Sequence, residues 1–446
     1  ALIAEEMDLA WGDFDVSFGL PAAAYWNRAL ALDAVPFLSR DEGAPANMMR
    51  GAGAVAFKML GAMGTGGSSS MPDSFLKLRA AGASARETLK LAAAAKYDVS
   101  VRDIGTQDSK VILPDGGEVP YAELAEAASK IQPVGEVALR EPSQWRLIGQ
   151  DMLRLDIPEK STGTLKYGID VEIEGMKYAT VKTNPRQFGG IEGFDDSKAL
   201  AMRGVEKVVP VRNGIAVIAD NTWRAFRAAE AVECDFGPAP YPAEQADHWR
   251  AIEESFGEDF LNNEWIAVGD ADAANESGPV TEVEYRAGYV GHQPLEPLNA
   301  VVQVDDDGAT FWTGHQLPTF LQQQAAGILG LNPDQITFYN QFIGGSFGHR
   351  LEFEHILLAA EIGQQMKGVP IKMTFSREED FAHDYPRQIC MSRAKGVIRD
   401  GKVDSFDLKI ASPSVGRSQS GRMGAGVPGP DTQIAAGAWN QDYGIP

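Results

Sequence analysis

The chain has 446 residues, 44% of them apolar, and a formal net charge of −22. That length exceeds one ordinary domain and leaves ample surface to bury, so two or three domains are expected. The acidic balance repels a phosphate backbone or an anionic membrane surface at long range, which argues against nucleic acid as a partner. The most apolar window, 52–63, contains Lys58 and falls well short of the roughly 18 residues needed to span a bilayer, so no transmembrane segment is expected.

In chain order, the first informative stretch is Gly64 to Ser70, a run of small residues leading into a helix expected over 72–96. Pro72 and Asp73 suit the first turn, where donors lack partners and the dipole favours an acid. Hydroxyls and glycine amides ahead of a helix fit a pyrophosphate, although a Gly/Ser stretch is more often a surface connection. Linkers are expected at 132–143, where Pro133 and Pro142 interrupt charged residues, and at 237–243, where prolines alternate with other residues. Between them, 163–237 alternates short β-rich runs with one or two short helices. Trp223 and Phe226, at helical spacing, read as core.

Asn299 to Val304 is β-rich, Asp305 to Gly308 is a turn, and Phe311 and Trp312 resume the strand. Gln316 follows, ahead of a helix that carries Gln322, Gln323 and Gln324, and is readable as one of several polar residues opening that helix. Next comes a glycine-rich loop, with Gly344, Gly345 and Gly348 falling within five positions, and a helix expected to start near Arg350. Glycines let the backbone turn sharply and approach a ligand with amides exposed, and a helix N-terminus adds positive potential. A phosphate cradle and a plain tight turn both fit. The spacing is not G-x-G-x-x-G and no Lys-Ser/Thr follows, so neither the dinucleotide fingerprint nor the P-loop matches. Phe342, Phe347, Trp312 and Phe320 suit either an aromatic pocket or a core.

Two cysteines, Cys234 and Cys390, cannot hold an iron–sulfur cluster, which takes about four thiolates; two buried thiols are the simpler reading, with a disulfide as the alternative. All six histidines (His248, His292, His315, His349, His355, His383) fall in the second half, but none has metalloprotease spacing, so a direct protein–metal site is not expected.

The segment GGSFGHR (344–350), then Val369, Pro370, Ile371 and Lys372, then Ser376 to Asp380, then His383 and Asp384, resembles the molybdenum-cofactor subunit of the xanthine dehydrogenase and aldehyde oxidoreductase family, most of all the isoquinoline 1-oxidoreductase large-subunit type. In that group GGGFGRR precedes a helix, a strand with P-V-K and a T-R-E-D-D turn. The blocks VGHQPLEPLNAVVQV and FWTGHQLPTFLQQQ resemble the same family in the same order, and 163–237 resembles its α/β hammerhead domain through Tyr167 to Asp170, Gly175 to Ala179 and Gly204 to Val209.

The resemblance implies an α/β (α+β) fold: residues 1–135 as part of a second molybdopterin-binding domain, 145–238 as the hammerhead domain and 250–446 as an incomplete first molybdopterin-binding domain. It implies a molybdopterin, as the cytosine dinucleotide, held by Gly344, Gly345, Ser346, Phe347, Gly348 and Arg350 and by Gly66, Gly67, Ser68 and Ser69 from another domain. Gln316 is then the residue beside an oxo ligand of molybdenum, while His349 and His315 face the substrate pocket. The metal is bound by pterin sulfurs, so no protein ligand is needed. The implied reaction is hydroxylation of an aldehyde or N-heteroaromatic carbon with oxygen from water. Electrons leave to a small iron–sulfur subunit with 2Fe-2S clusters, with a cytochrome c subunit as a further candidate partner.

The family's general base, a glutamate toward the C-terminus, has no counterpart here. Glu296, in a turn between prolines, and Glu352, on the helix after the loop, read as structural. The chain is expected to be a piece of a longer large subunit, or one member of a split pair. Ser346 and His349 depart from the family's loop, and a serine at a position needing positive φ would be strained. A periplasmic location follows from the resemblance alone, with the cytoplasm as alternative. Two other readings stay open: a non-catalytic structural or interaction subunit that keeps the fold, and a nucleotide-phosphate enzyme using the same loop.

Overall fold

The computed structural model describes the chain apart from residues 34, 277, 425, 427, 428, 442 and 446. It divides into two compact units. The first comprises Ala1–Gly19, Asn27–Leu30 and Thr65–Leu165. Its main element is helix α1, Ser70–Tyr97, spanning the helix expected over 72–96. Alanine and leucine dominate its second half, Asp73 and Lys96 complement its dipole, and the chain leaves it through Asp98 at φ 53°. Leu89, Ala92 and Ala93 bury against Val111, Val119 and Leu124 of a small three-stranded sheet and the helix that follows it.

The second unit comprises Leu20–Trp26, Ala31–Gly64 and Lys166–Pro446. Its framework is a seven-stranded mixed sheet. The strands are β1 (Lys177–Thr183), β2 (Val205–Val211), β3 (Gly214–Ala219), β4 (Asn299–Val304), β5 (Ala309–Thr313), β6 (Ile336–Asn340) and β7 (Ile371–Thr374), in the order β6-β5-β4-β7-β1-β3-β2. Strands drawn from 163–237 and from 290–384 thus share one sheet, joined where β7 runs parallel to β1. Helices α2 (Pro318–Leu329) and α3 (Glu354–Gln364) contribute Leu321, Ala325, Ile356, Leu358 and Ile362 to the core, against Val302, Val304, Phe311 and Phe338 of the sheet. A Cβ on Gly363 would stand 2.8 Å from Val304 Cγ2, so its bare backbone is what lets α3 lie close on β4. A short helix, α4 (Arg377–Ala382), follows β7, with Ser376 Oγ accepting from the Glu379 amide as its cap. A three-stranded antiparallel sheet of 280–287, 390–399 and 402–411 lies outside the main sheet.

Several expectations are corrected. The helix after the glycine loop does not begin near Arg350. His349–Leu351 form a single 3-10 turn, the chain is extended at Glu352, and α3 starts at Glu354. Glu352 therefore lies off the helix, and a bidentate pair with Arg422 (2.8 and 2.6 Å) holds it there. Phe353 turns into the core, a long-range demand that a local pattern does not carry. Trp223 is not core: it is 68% exposed, with the Arg227 guanidinium over its ring. Ser346 escapes the left-handed region, which Phe347 occupies at φ 56°.

Candidate functional site

Strands β5 and β6 are parallel, with Thr313 opposite Asn340, so the segments leaving their C-terminal ends emerge side by side. The β5 exit carries Gly314, His315 and Gln316, and the β6 exit carries the glycine loop. The Gln341 amide donates to Thr313 O at 3.0 Å and the Gln316 amide to Arg350 O at 3.0 Å, fastening the two segments together. The Ser346 hydroxyl accepts from the Arg350 amide at 3.0 Å and donates to Gln316 Oε1 in a short hydrogen bond. Gln316 is thus held through its side-chain oxygen by Ser346.

The loop turns through Gly345 (φ 110°), Phe347 and Gly348 (φ 107°). Gly344 is fixed differently, since a Cβ there would meet Glu296 Cβ at 2.5 Å. Its amide donates to Glu296 Oε2 at 2.7 Å, and Glu296 returns its own amide to Gly344 O at 3.1 Å. Among the described residues the next four amides, those of Gly345, Ser346, Phe347 and Gly348, have no protein acceptor. Successive N–H donors on a turn in which Gly345, Phe347 and Gly348 take positive φ can form an anion-binding concavity, and Phe347, 76% exposed, puts the run at the surface of its unit.

What holds the loop open is a buried ion pair. Glu296 accepts from the Ile169 amide (2.9 Å), Asn299 Nδ2 (3.1 Å), the Gly344 amide and Arg350 Nη2 (2.9 Å). Its carboxylate is saturated and unsuited to removing a proton from substrate. Arg350 is fully buried and also reaches Glu296 O (3.2 Å) and Gly345 O (3.3 Å). Burial lowers its pKa against the pull of Glu296 and Asp380, but a guanidinium stays charged. It shapes the loop from behind; its charge is not presented at the loop surface.

His315 is buried, with Nδ1 accepting from the Leu317 amide (3.0 Å) and Nε2 donating to Glu352 O (3.1 Å). That pattern fixes the neutral tautomer, and burial lowers its pKa to about 4. His349 is buried too, stacked on His292 with centroids 5.4 Å apart, and burial lowers its pKa. Sequence reasoning gave no role in the loop to Glu296 and none to His292 or Asp384, although each lies in a motif that carries the family resemblance. In the first unit, Gly67 and Ser68 take positive φ (56° and 58°). Ser69 is buried, its hydroxyl donating to Gly66 O (2.6 Å) and accepting from Asn27 Nδ2 (2.9 Å). It braces its own turn, while Gly67 and Ser68 are exposed.

The molybdopterin cofactor-binding domain family matches residues 255–426, which include β4 to β7 and the whole glycine loop. The beta subunit of isoquinoline 1-oxidoreductase from Brevundimonas diminuta is 33% identical over 311 residues, covering 67% of this chain and 39% of that protein. This chain belongs to the molybdopterin-binding subunits of the xanthine dehydrogenase and aldehyde oxidoreductase family. Two further relatives are the membrane-bound aldehyde dehydrogenase [pyrroloquinoline-quinone] of Gluconacetobacter polyoxogenes, 27% identical with 79% of this chain and 48% of that protein covered, and the aldehyde oxidoreductase of Megalodesulfovibrio gigas, 24% identical with 56% and 32% covered. The chain thus spans less than half the length of these relatives. Cys234 and Cys390 are both free. Among the described residues no helix is long and apolar enough to cross a membrane.

Proposed function

We propose that the chain is part of the molybdenum-cofactor subunit of an oxidoreductase that hydroxylates an aldehyde or N-heteroaromatic carbon with oxygen from water and passes electrons to an iron–sulfur subunit. The observation that carries this reading is the run of four amides at 345–348, unclaimed among the described residues and held open by Glu296 and Arg350, within a chain of a molybdopterin-binding family. The donor set fits a pterin phosphate. It needs no cationic side chain, because amides on a strained turn supply directional donors to anionic oxygens.

The chain's own residues then have separate tasks. The amides of Gly345 to Gly348 receive phosphate oxygens, and the Glu296–Arg350 pair keeps them aimed. Gln316, set by Ser346, is the uncharged polar side chain that stands beside an oxo ligand. When bound, the cofactor supplies the two-electron redox chemistry. His315, neutral and bonded at both nitrogens, stiffens the wall behind Gln316. In the first unit, the turn at Gly66, Gly67 and Ser68 is by itself a second candidate for phosphate contact.

With only two cysteines in the chain, the electrons are expected to leave through 2Fe-2S clusters on a small partner subunit, with a cytochrome c subunit as a further acceptor. We also propose the cytosine dinucleotide form of the cofactor and a periplasmic location. The test is elemental and cofactor analysis of the intact native protein. Near-stoichiometric molybdenum with a releasable pterin nucleotide is expected, and the released nucleotide base identifies the form. A folded native protein that yields neither, or that releases a quinone instead, contradicts the reading.

A further inference from the structure

Beside the glycine loop, three side chains from separate segments converge: His292 after the strand 280–287, His349 at the end of the loop, and Asp384 just past α4. His292 Nδ1 lies 2.6 Å from Asp384 Oδ1, His349 Nε2 lies 3.8 Å from the same oxygen, and one ligand atom of each residue lies within 4.8 Å of the others. The His292 amide also donates to Asp384 Oδ2. His349 is only 2% exposed, yet neither of its ring nitrogens has a partner among the described residues. A buried imidazole with both nitrogens unsatisfied leaves its desolvation uncompensated, so its retention calls for a ligand.

We propose that His292, His349 and Asp384 form a divalent transition-metal site, with zinc as the fitting ion and a fourth position open to water. Two imidazoles and one carboxylate are a donor set for zinc, and tetrahedral bonds of about 2.0–2.1 Å place ligand atoms roughly 3.4 Å apart. The 2.6 and 3.8 Å separations from Asp384 bracket that spacing and no separation among the three ligand atoms exceeds 4.8 Å, so side-chain shifts of about an ångström convert the cluster into a coordination shell. Burial keeps His349 neutral, the ligating form. Asp384 is held ionised: burial works against it, but its bonds from His292 outweigh that and its pKa is lowered. Magnesium and calcium are poor competitors because they prefer oxygen ligands. A cation here would clamp the C-terminal end of the glycine loop to the segment after α4, a tie that the pterin reading neither requires nor supplies.

The test uses the purified chain, stripped with a chelator and titrated with zinc alone, reading bound zinc after desalting and the melting temperature. The wild type is expected to retain one zinc per chain against excess magnesium and to melt a few degrees higher with it. Asp384→Asn and His292→Gln should weaken binding by roughly a hundredfold or more, since even groups that only support a ligand matter at the 10–100-fold level. His248→Gln, whose ring bonds Tyr289 and Pro242, should leave it unchanged. His292 is the least buried of the three and carries the test if Asp384→Asn misfolds. Absence of stoichiometric zinc in the wild type, or equal retention in all four proteins, overturns the proposal. Molybdenum content is not read, so either idea can fail without the other.

Discussion

The loop at 344–350 and the turn at 66–70 look alike as sequence, small residues running into a helix, yet they are braced by different physics. The loop is backed by a buried charge pair, Glu296 with Arg350, and its four central amides have no acceptor among the described residues. The turn is backed by neutral groups, Ser69 with Asn27, and runs directly into α1 at Ser70. Glycine content therefore marks where a backbone can bend. What the bend presents depends on which side chains hold it from behind.

Breaking the charged brace should have the largest effect. Arg350→Met leaves Glu296 buried and unpaired and should cost on the order of 3–5 kcal/mol in denaturant unfolding. Arg350→Met with Glu296→Gln should recover part of that, because removing both charges also removes their desolvation. If the single and double variants are equally unstable, the pair is not what holds the loop.

Acid should separate the two units next. Burial lowers the pKa of His315, His349, His355 and His383 in the second unit, whereas Glu354 and Glu379 are raised, Glu379 to about 7. A lowered histidine gives stability that is present above its unfolded value of about 6.5 and is lost as pH falls through the folded value. A raised glutamate acts oppositely, favouring the fold below its unfolded value and losing that as pH rises. Four histidines against two glutamates give net loss on acidification. The first unit has no histidine. Its Glu5 is lowered, the three backbone amides of Arg146, Leu147 and Ile148 outweighing burial, so the loss that Glu5 contributes should begin only below the ordinary glutamate range. Hydrogen exchange followed peptide by peptide from pH 7 to pH 4 should show β5 and α3 opening before α1. His315→Gln should flatten the second unit's slope by about 1 kcal/mol per pH unit at most.

Smaller effects sharpen the contrast. Gly345→Ala forces a Cβ into φ 110° and should cost about 1–2 kcal/mol. Ser69→Ala removes one hydroxyl's bonds and should cost about 1 kcal/mol, with no change in exchange at 344–350.

Much of the scaffold was legible. β4 coincides with the β-rich run at 299–304, and the turn after it closes with Asp305 N donating to Gly308 O at 2.9 Å. Local composition dictates both. The helix at 70–97 was legible for the same reason. The break between the loop and α3 was not, because Phe353 answers to the core and Glu352 to Arg422, partners far away in sequence. The loop residues themselves were picked out by glycine spacing, but the burial of Arg350 against Glu296 was not. An arginine next to a glycine loop reads as a ligand contact, and only the packed structure shows it turned inward. The His292, His349 and Asp384 convergence was hidden likewise, since each lies on a different segment and no short spacing unites them.

The decisive measurement compares molybdenum and pterin nucleotide content in the intact native protein with that of a Gly345→Ala plus Gly348→Ala variant shown to be folded by circular dichroism. Near-stoichiometric cofactor in the wild type and its loss in the variant are expected. A variant that keeps full cofactor, or a folded wild type that never contains any, would show that the amides at 345–348 do not hold the pterin.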